Sequence, residues 1–480
     1  MKHLVELVQA AGLATSGMED RSITQLDYDS RSCVAGSLFF AFPGLHSQGA
    51  DHAQDAMAHG AVAVVADHPL ACIPTVVSGE VHKTYALMCA AFFDHPEKHL
   101  SLIGVTGTDG KSTTCDDVKQ LLEAKGIRCG ILGTVYMDDG SGKKDSPYRQ
   151  STPEAWYLYQ FLSRCVQNGC SVVALECTSH ALSDQTARLQ GIRYAMAIVT
   201  NVTSEHLEFH KTIASYVDAK CNLVRRLVPG GTFVSTTDNG HLSEFLAVLP
   251  CGCDAVILHR DVDIKIDGGD GAIYQGTRYP IASTGLPVLC SNALLAAVAC
   301  GRYTHTPIEQ ILPLLSRLTP VEGRMEVIPN RLGLRIIIDF AHTADAYHQV
   351  MGFLSQSKGE GRMLALFGAA GERDTSKRAP MGREASTYCD ALFLTDEDPR
   401  MEASAAIDED IERGMVRPIP VYRIDDRREA IRAMFSYAER GDTLLFLGKG
   451  HEHSLEKKGV KYPWNEKETV LAMLKEAEET

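Results

Sequence analysis

The sequence predicts an α/β protein of three domains, and three observations carry that prediction. Its 480 residues are more than one hydrophobic core holds. Its apolar runs are short and continuous and alternate with amphipathic helical stretches, the pattern of parallel strands buried on both faces. The stretch Leu100-Ser-Leu-Ile-Gly-Val-Thr-Gly-Thr-Asp-Gly-Lys-Ser-Thr-Thr-Cys115 joins one such run to a helix through Gly104, Gly107 and Gly110.

Composition sets the outer limits. With 45% hydrophobic and 22% charged residues the chain reads as an ordinary globular protein. No apolar stretch approaches the length of a membrane span, and Met1-Lys-His-Leu-Val-Glu does not read as a signal peptide. The 14 cysteines lie mostly within apolar segments, without the spacing of a zinc or thioredoxin motif, and read as reduced core residues of a cytoplasmic protein. A net charge of −14 argues against a nucleic-acid or anionic-membrane partner. It leaves an anionic small substrate open, since surface fields decay within about 8 Å at physiological salt.

Residues 1–98 read as a small α/β unit: strands in Gly36–Gly44 and Gly60–Asp67, a helix from Val81 to Phe93, then Asp94-His-Pro-Glu-Lys-His99 as a linker. Residues 99–320 form the second domain. Its strands are Leu100–Thr106, Ser171–Leu175, Tyr194–Thr200 and Thr232–Ser235, with a helix from Pro153 to Asn168 stopped by Gly169. Residues 251–285, rich in Gly and Asp, suggest an antiparallel excursion before a helix from Asn292 to Cys300. Residues 321–480 form the third domain, with strands at Leu334–Asp339, Met363–Phe367, Ala391–Thr395, Pro420–Arg423 and Thr443–Leu447.

The chemistry belongs at the carboxyl ends of those strands, where open α/β sheets bind ligands. Glycines at 107 and 110 let backbone N–H groups close on phosphate oxygens, and the helix that follows adds the positive end of its dipole. Lys111 can reach terminal phosphates and the Ser112 hydroxyl can ligate Mg²⁺. The usual spacing of such loops is not met, because Gly107 is too close to the Gly-Lys pair and Gly104 one residue too far; a plain glycine turn is the alternative. Glu176, ending the 171–175 strand, is a natural Mg²⁺ ligand beside a phosphate loop. His206, after the 194–200 strand, could complete a metal shell or stabilise a transferring phosphoryl group. Taken by itself, Lys220 reads as a surface lysine on a helix bearing Tyr216, Val217, Leu223 and Val224. In the third domain five loops mix glycine, basic residues and acids: Glu322–Glu326, Asp339–His342, Gly368–Asp374, Thr395–Arg400 and Gly448–Glu452. Together they suggest a cleft that handles phosphate, carboxylate and amine.

With these motifs in this order, nearly the whole chain resembles the Mur ligases of peptidoglycan synthesis, of the MurE type. Gly104-Val-Thr-Gly-Thr-Asp-Gly-Lys-Ser-Thr-Thr is similar to the family's GVTGTNGKTTT, which accounts for the odd spacing, with Asp109 where Asn is usual. The resemblance implies a UDP-binding first domain, a central P-loop-type ATPase domain and a Rossmann-like third domain. Its implied activity is ATP-dependent, ADP-forming amide ligation through an acyl phosphate, with a diamino acid joined to UDP-MurNAc-L-Ala-D-Glu. Gly107, Thr108, Asp109, Gly110, Lys111, Ser112, Thr113, Asn292, Arg324, Asp339 and His342 would then contact ATP. Tyr28, Ser30, Leu45, His46, Ser47, Gln150, Ser151, Thr152, Thr178, Gln185 and Arg188 would contact the muramyl nucleotide. The resemblance reverses the reading of Lys220: it stands where the family carries a lysine that takes up CO₂ as a carbamate, an anionic Mg²⁺ ligand alongside Ser112, Glu176 and His206. Lys111, Glu176, His206 and Lys220 become the catalytic set, with two Mg²⁺ ions expected.

Arg373, Glu397, Asp398, Arg400, Gly448 and Glu452 would hold the amino acid. Where the family's diaminopimelate-adding members read Asp-Asn-Pro-Arg, this chain reads Glu397-Asp-Pro-Arg400. Arg400 favours a distal carboxylate, hence meso-diaminopimelate. Two carboxylates favour a bare ammonium, as in lysine or ornithine, unless Asp398 neutralises Arg400 or Arg373 instead. The balance falls on the lysine and ornithine side. A MurF-like or folylpolyglutamate-synthetase-like ligase would share the loop and Lys220 but lack the Asp-Pro-Arg arrangement; a silent nucleotide-binding relative would lack substrate-dependent ATPase. A monomer is expected.

Overall fold

The computed structural model describes every residue except 45–47, 149, 204–206, 269, 283–286, 358 and 480. The chain divides into two compact units: one of residues 1–265, 274–277 and 291–315, the other of 266–273, 278–290 and 316–480.

In the first unit, a four-stranded parallel sheet in sequential order comprises β1 (Gln25–Asp27), β2 (Ser37–Phe40), β3 (Ala61–Ala66) and β4 (Thr75–Val77), followed by α1 (Val81–Phe92). An eight-stranded sheet follows. Its elements are β5 (Ser101–Thr106), α2 (Lys111–Ala124), β6 (Cys129–Leu132), β7 (Tyr136–Asp138), β8 (Lys144–Asp145), α3 (Ala155–Gln167), β9 (Val172–Glu176), β10 (Tyr194–Val199), α4 (Ile213–Arg225), β11 (Leu227–Thr236) and β12 (Asp254–Leu258). The spatial order is β8-β7-β6-β9-β5-β10-β11-β12. β6, β9, β5, β10, β11 and β12 run parallel, whereas β7 and β8 add an antiparallel edge that the apolar runs did not announce. Two strands of the parallel part, β9 and β10, flank β5, so the glycine loop leaves the sheet at its middle.

One core cluster joins the four-stranded sheet to the eight-stranded one. Tyr85, Met88 and Cys89 of α1 are buried in the same cluster as Leu158, Tyr159 and Leu162 of α3. Phe92 and Phe93 close on Trp156 with ring centroids 5.0 and 4.8 Å apart. Helix α3 ends as its glycine foretells: Gly169 has φ +76°, and the N–H of Cys170 donates to the carbonyl of Cys165.

The 251–285 stretch corrects its expectation. Its first strand, β12, joins the main sheet parallel to β11. The excursion is shorter, a three-stranded sheet of β13 (Ile264–Asp267), β14 (Gly271–Tyr274) and β15 (Thr277–Pro280). The next helix, α5, spans Pro287–Tyr303 and so begins before Asn292, with proline at its first position.

The second unit holds a six-stranded sheet built from β16 (Glu326–Ile328), β17 (Arg335–Asp339), β18 (Met363–Phe367), β19 (Ala391–Leu394), β20 (Val421–Arg423) and β21 (Thr443–Leu447). Their order is β16-β17-β21-β18-β19-β20, parallel apart from the edge strand β16. Helices α6 (Ala344–Ser357), α7 (Arg378–Tyr388), α8 (Ser404–Glu412), α9 (Arg427–Tyr437) and α10 (Glu466–Glu479) cover it. Between α9 and α10 lies the hairpin of β22 (Ser454–Lys457) and β23 (Val460–Pro463). Met363, Ala365 and Phe367 enter one core while Leu364 and Leu366 enter the other. Both faces being buried, the strands read as unbroken apolar runs.

Candidate active site

The glycine loop is held in shape by the end of β10. The N–H of Thr108 donates to the Asn201 carbonyl at 2.8 Å, and the N–H of Asp109 to the Asn201 side chain at 2.9 Å. The Thr200 hydroxyl donates to the Asp109 carbonyl at 2.6 Å. Gly110 caps α2 in the left-handed region, φ +79°, and a Cβ there would collide with Asn292 Nδ2. Glycine is therefore required twice over, by backbone conformation and by close approach. Ser112 and Thr113 sit half-buried in the first turn of α2, and Lys111 Nζ donates to the carbonyls of Gly107 at 3.1 Å and Thr108 at 2.6 Å. Thr114 Oγ1 and Asn292 Nδ2 are buried without a hydrogen-bond partner among the described residues.

Glu176, 2% exposed at the end of β9, is seated by Thr134. The Thr134 N–H donates to Oε1 at 2.8 Å and its hydroxyl lies 2.9 Å from Oε2. That hydroxyl is also 2.7 Å from Ser151 Oγ. Since a carboxylate only accepts, Thr134 gives its single proton to Glu176 and accepts one from Ser151.

Lys220 overturns the surface reading. It is 1% exposed, and its Nζ donates to Gly107 O at 2.6 Å, the carbonyl that Lys111 also uses. The ring of Tyr216, one turn earlier on α4, lies under Nζ at 4.4 Å from its centroid. The Tyr216 hydroxyl is 3.1 Å from Thr108 Oγ1. One tyrosine thus braces both the loop and the lysine.

A second group gathers beside Glu176. Thr152 Oγ1 donates to the Glu176 carbonyl at 2.7 Å and accepts from the Thr178 N–H at 3.1 Å. Arg188 reaches the Thr152 carbonyl at 3.4 Å, and its Nε lies 2.7 Å from Glu154 Oε1. Tyr28 stacks on Phe42, and Phe42 on His82, with centroids 5.7 and 4.0 Å apart. Burial, then the field of Glu154, pushes the Tyr28 hydroxyl up to about 12, and the His82 pKa is lowered by burial and by Arg188. Ser30 is buried, while Gln150 and Gln185 are exposed and are not drawn into this group. Leu45, His46, Ser47 and His206, named from the sequence, lie outside the described residues.

In the second unit Asp339, at the end of β17, accepts from the N–H groups of Met325 and Ala341, both at 2.7 Å. Burial raises its pKa against the pull of Arg324. Arg324 lies over the Phe340 ring, 4.7 Å from the centroid, and its Nε is buried without a partner among the described residues. His342 Nδ1 is 2.9 Å from the Phe340 carbonyl, so Arg324, Asp339 and His342 do come together. His451 packs on Phe340 with ring centroids 5.0 Å apart; burial, then the fields of Arg324, His453 and Lys449, hold its pKa down to about 3.

The loop after β19 disposes of its charges differently from either expectation. Asp398 pairs with neither Arg400 nor Arg373. Its Oδ1 accepts from Lys449 Nζ at 3.1 Å and from the Glu456 N–H at 2.8 Å, while Glu452 Oε2 takes Lys449 at 2.7 Å. Arg400 donates to the Gly371 carbonyl at 2.9 Å and lies 3.8 Å from Glu456. Glu397 is buried, its Oε2 has no hydrogen-bond partner among the described residues, and burial pushes its pKa up to about 7 against the fields of Lys377, Lys449 and Arg427. Gly448, φ +95°, gives Glu397 its room, since a Cβ there would strike Oε2. Arg373 is exposed.

Three family descriptions match consecutive parts of the chain: "Mur ligase family, catalytic domain" over residues 22–91, "Mur ligase middle domain" over 105–258, and "Mur ligase, glutamate ligase domain" over 323–450. The UDP-N-acetylmuramyl-tripeptide synthetase of Borreliella afzelii is 34% identical over 97% of this chain and 96% of its own. The chain belongs to the Mur ligase family, MurE type. Another relative of this ligase is the UDP-N-acetylmuramoyl-L-alanyl-D-glutamate–2,6-diaminopimelate ligase of Geobacillus kaustophilus, 32% identical over 94% of this chain and 95% of that one. A solved structure of a ligase with the same printed name superposes with TM-score 0.63 at 26% identity, covering 95% of this chain and 96% of that one. MurF of Thermotoga maritima in complex with ADP shares the fold at 19% identity, TM-score 0.60, covering 95% and 98%.

Thr134, Asn201, Tyr216 and Lys449 were not singled out from the ligase's sequence. Lys449 lies inside the Gly448–Glu452 motif and could have been found there. Thr134, Asn201 and Tyr216 carry no local mark. Among the described residues, no helix is long and apolar enough to cross a membrane.

Proposed function

We propose that this Mur ligase catalyses ATP-dependent, ADP-forming addition of a diamino acid to UDP-MurNAc-L-Ala-D-Glu, a cytoplasmic step of peptidoglycan precursor synthesis. In this reading residues 1–98 hold the uridine nucleotide, 99–320 bind ATP and carry the chemistry, and 321–480 supply the diamino-acid loops. The observation that carries it is Lys220, buried on the same loop carbonyl as Lys111. A lysine taken out of water beside a phosphate loop supports the carbamate reading, because loss of its proton readies the amine for CO₂.

ATP and Mg²⁺ suit the residues present. The N-terminus of α2 offers its first-turn N–H groups to phosphate, and the buried, unpartnered Asn292 Nδ2 and Thr114 Oγ1 are donors awaiting acceptors. Ser112, Glu176 and a carbamylated Lys220 form an all-oxygen donor set, suited to a hard cation that also takes phosphate oxygens and water. Mg²⁺, when bound, neutralises phosphate charge as a Lewis acid. Lys111 draws the γ-phosphoryl toward the dipeptide carboxylate, and Arg188 with Thr152 and Thr178 orients the muramyl substrate. The carboxylate oxygen bonds to phosphorus as ADP leaves; the incoming amine then displaces phosphate from the acyl carbon and gives up a proton. Orientation and electrostatics supply most of the rate in such transfers.

The lysine and ornithine side of the specificity question gains from the charge distribution. The Arg400 cation is partly answered by Gly371 and Glu456, whereas Glu397 Oε2 is a buried acceptor without a hydrogen-bond partner among the described residues, which a substrate ammonium would hold in its charged form. ADP release measured with lysine, ornithine, D-lysine and meso-diaminopimelate ranks them, and preference for diaminopimelate reverses the reading. Lys111→Ala and Glu176→Ala each abolish ADP release; near-normal turnover in either refutes the assignment. ¹³C-bicarbonate gives a carbamate resonance in the wild type that is absent in Lys220→Arg.

A further inference from the structure

Two loops of the second unit, 368–374 after β18 and 395–402 after β19, are fastened to each other at several points. The Gly371 N–H donates to the Asp398 carbonyl at 2.9 Å, and Arg400 returns a bond to the Gly371 carbonyl. A Cβ on Gly371 would strike the Pro399 carbonyl, so the backbones are in contact. Glu372 and Arg400 both sit at φ +53°, a left-handed conformation that non-glycine residues keep only when their surroundings impose it.

Both loops are tied to an ion cluster built on one buried arginine, whose carboxylates are partly exposed. Arg378, the first residue of α7, is 0% exposed. Its two terminal nitrogens grip Glu402 in a fork, each bond 2.7 Å, while Nη1 reaches Asp410 at 3.0 Å and Nη2 the Ala370 carbonyl at 3.4 Å. Glu402 Oε2 in turn accepts from the Glu372 N–H at 3.1 Å. Glu402 follows Arg400 by two residues, and Glu372 precedes Arg373 by one. The cluster therefore joins the two loops that carry Arg373 and Arg400.

We propose that Arg378 and Glu402 are positioning residues for the diamino acid: without touching it, they set the geometry of the loops that do. This rests on reading those loops as the diamino-acid site. Arg378→Lys keeps the charge but loses the fork. It should raise the diamino-acid KM at least about tenfold, with the KM values for ATP and the muramyl dipeptide within twofold and saturated kcat within about threefold. Glu402→Gln, which keeps one acceptor, should raise it less than Glu402→Ala. A merely structural cluster would lower the thermal midpoint and the active fraction and leave the three KM values unchanged. The proposal fails if folded Arg378→Lys and Glu402→Gln bind the diamino acid within twofold of wild type, or if all three KM values rise together; should Arg378→Lys not fold, Glu402→Gln decides. Arg400→Ala, run in parallel, separates the failures. If it raises the diamino-acid KM while the positioning variants do not, only this proposal falls. If it changes nothing, the site reading falls and the proposal with it.

Discussion

Replacing Thr134 by Val removes one hydroxyl and little else, since the two side chains have the same shape. The backbone N–H of residue 134 stays on Glu176 Oε1, but Oε2 loses the donor 2.9 Å away, and Ser151 loses its acceptor. A hydrogen bond to a charged group contributes about 1.5–3 kcal/mol. At about 1.4 kcal/mol per decade that is roughly ten- to a hundredfold, provided Glu176 must hold its orientation in the transition state. The assay is the initial rate of ADP release across a Mg²⁺ series, with the thermal midpoint measured on the same samples. We expect kcat/KM for MgATP to fall by about that factor and half-saturation to move to higher Mg²⁺. The diamino-acid KM should not change, since the loops proposed to hold that substrate belong to the other compact unit. Rates within twofold of wild type at every Mg²⁺ concentration would refute the reasoning. Glu176→Gln, measured beside it, then tells whether Thr134 fails to hold Glu176 or Glu176 takes no part.

Three further outcomes follow from the geometry. Gly110→Ala must place a side chain at φ +79° and against Asn292, a backbone cost of about 1–2 kcal/mol before the collision, so the KM for ATP should rise about five- to thirtyfold; a value within twofold contradicts the loop assignment. Glu397 titrates near 7 in the fold against 4.5 unfolded, so between about pH 4.5 and 7 the folded chain holds the extra proton and stability falls as pH rises, levelling above 7. Glu397→Gln should remove that fall, gaining about 3 kcal/mol on wild type across the window in denaturant titrations; a pH-independent difference refutes it. Arg427→Met strands Glu466, both being fully buried with Nη2 and Oε1 2.6 Å apart, at a cost of about 3–5 kcal/mol or roughly 6–20 °C in the second unit's thermal midpoint; a shift under about 3 °C contradicts the buried-pair argument.

Most of the architecture was legible because the two large sheets are parallel apart from their edge strands. Met363–Phe367 or Thr443–Leu447 can only be read as buried strands, and the loops that follow them mark the ligand edge. The antiparallel members escaped because Tyr136–Asp138 and Lys144–Asp145 are too short and too polar to show a period. Lys220 was illegible for a physical reason. Its helix looks like any amphipathic helix, and what buries the lysine is the close seat of α4 on β5, where a Cβ on Gly104 would strike Leu223. Asp398 was misjudged because its cation comes from residue 449, and a salt bridge across that separation leaves no spacing signal. Thr134 is a lone polar residue between two strands; its meaning is Glu176, which only the sheet brings near. Local pattern reports elements and their ends, while the partners of buried charges are decided by topology.

That topology also bears on how the second unit comes into being. The last strand of its sheet in chain order, β21, is not at the edge but between β17 and β18. Until residues 443–447 pair, the sheet exists only as two pieces with open, apolar flanks, one ending at β17 and one beginning at β18. Such an order makes the decisive contacts long-range and therefore slow to form, and the unpaired flanks are templates for association with other chains. A lesion that removes β21 would thus do more than delete the Gly448–Glu452 loop, because it would leave the molecule unjoined at its centre. The Gly448–Glu452 loop rides on the strand that completes the fold, so an assembled loop is also a sign of an assembled sheet.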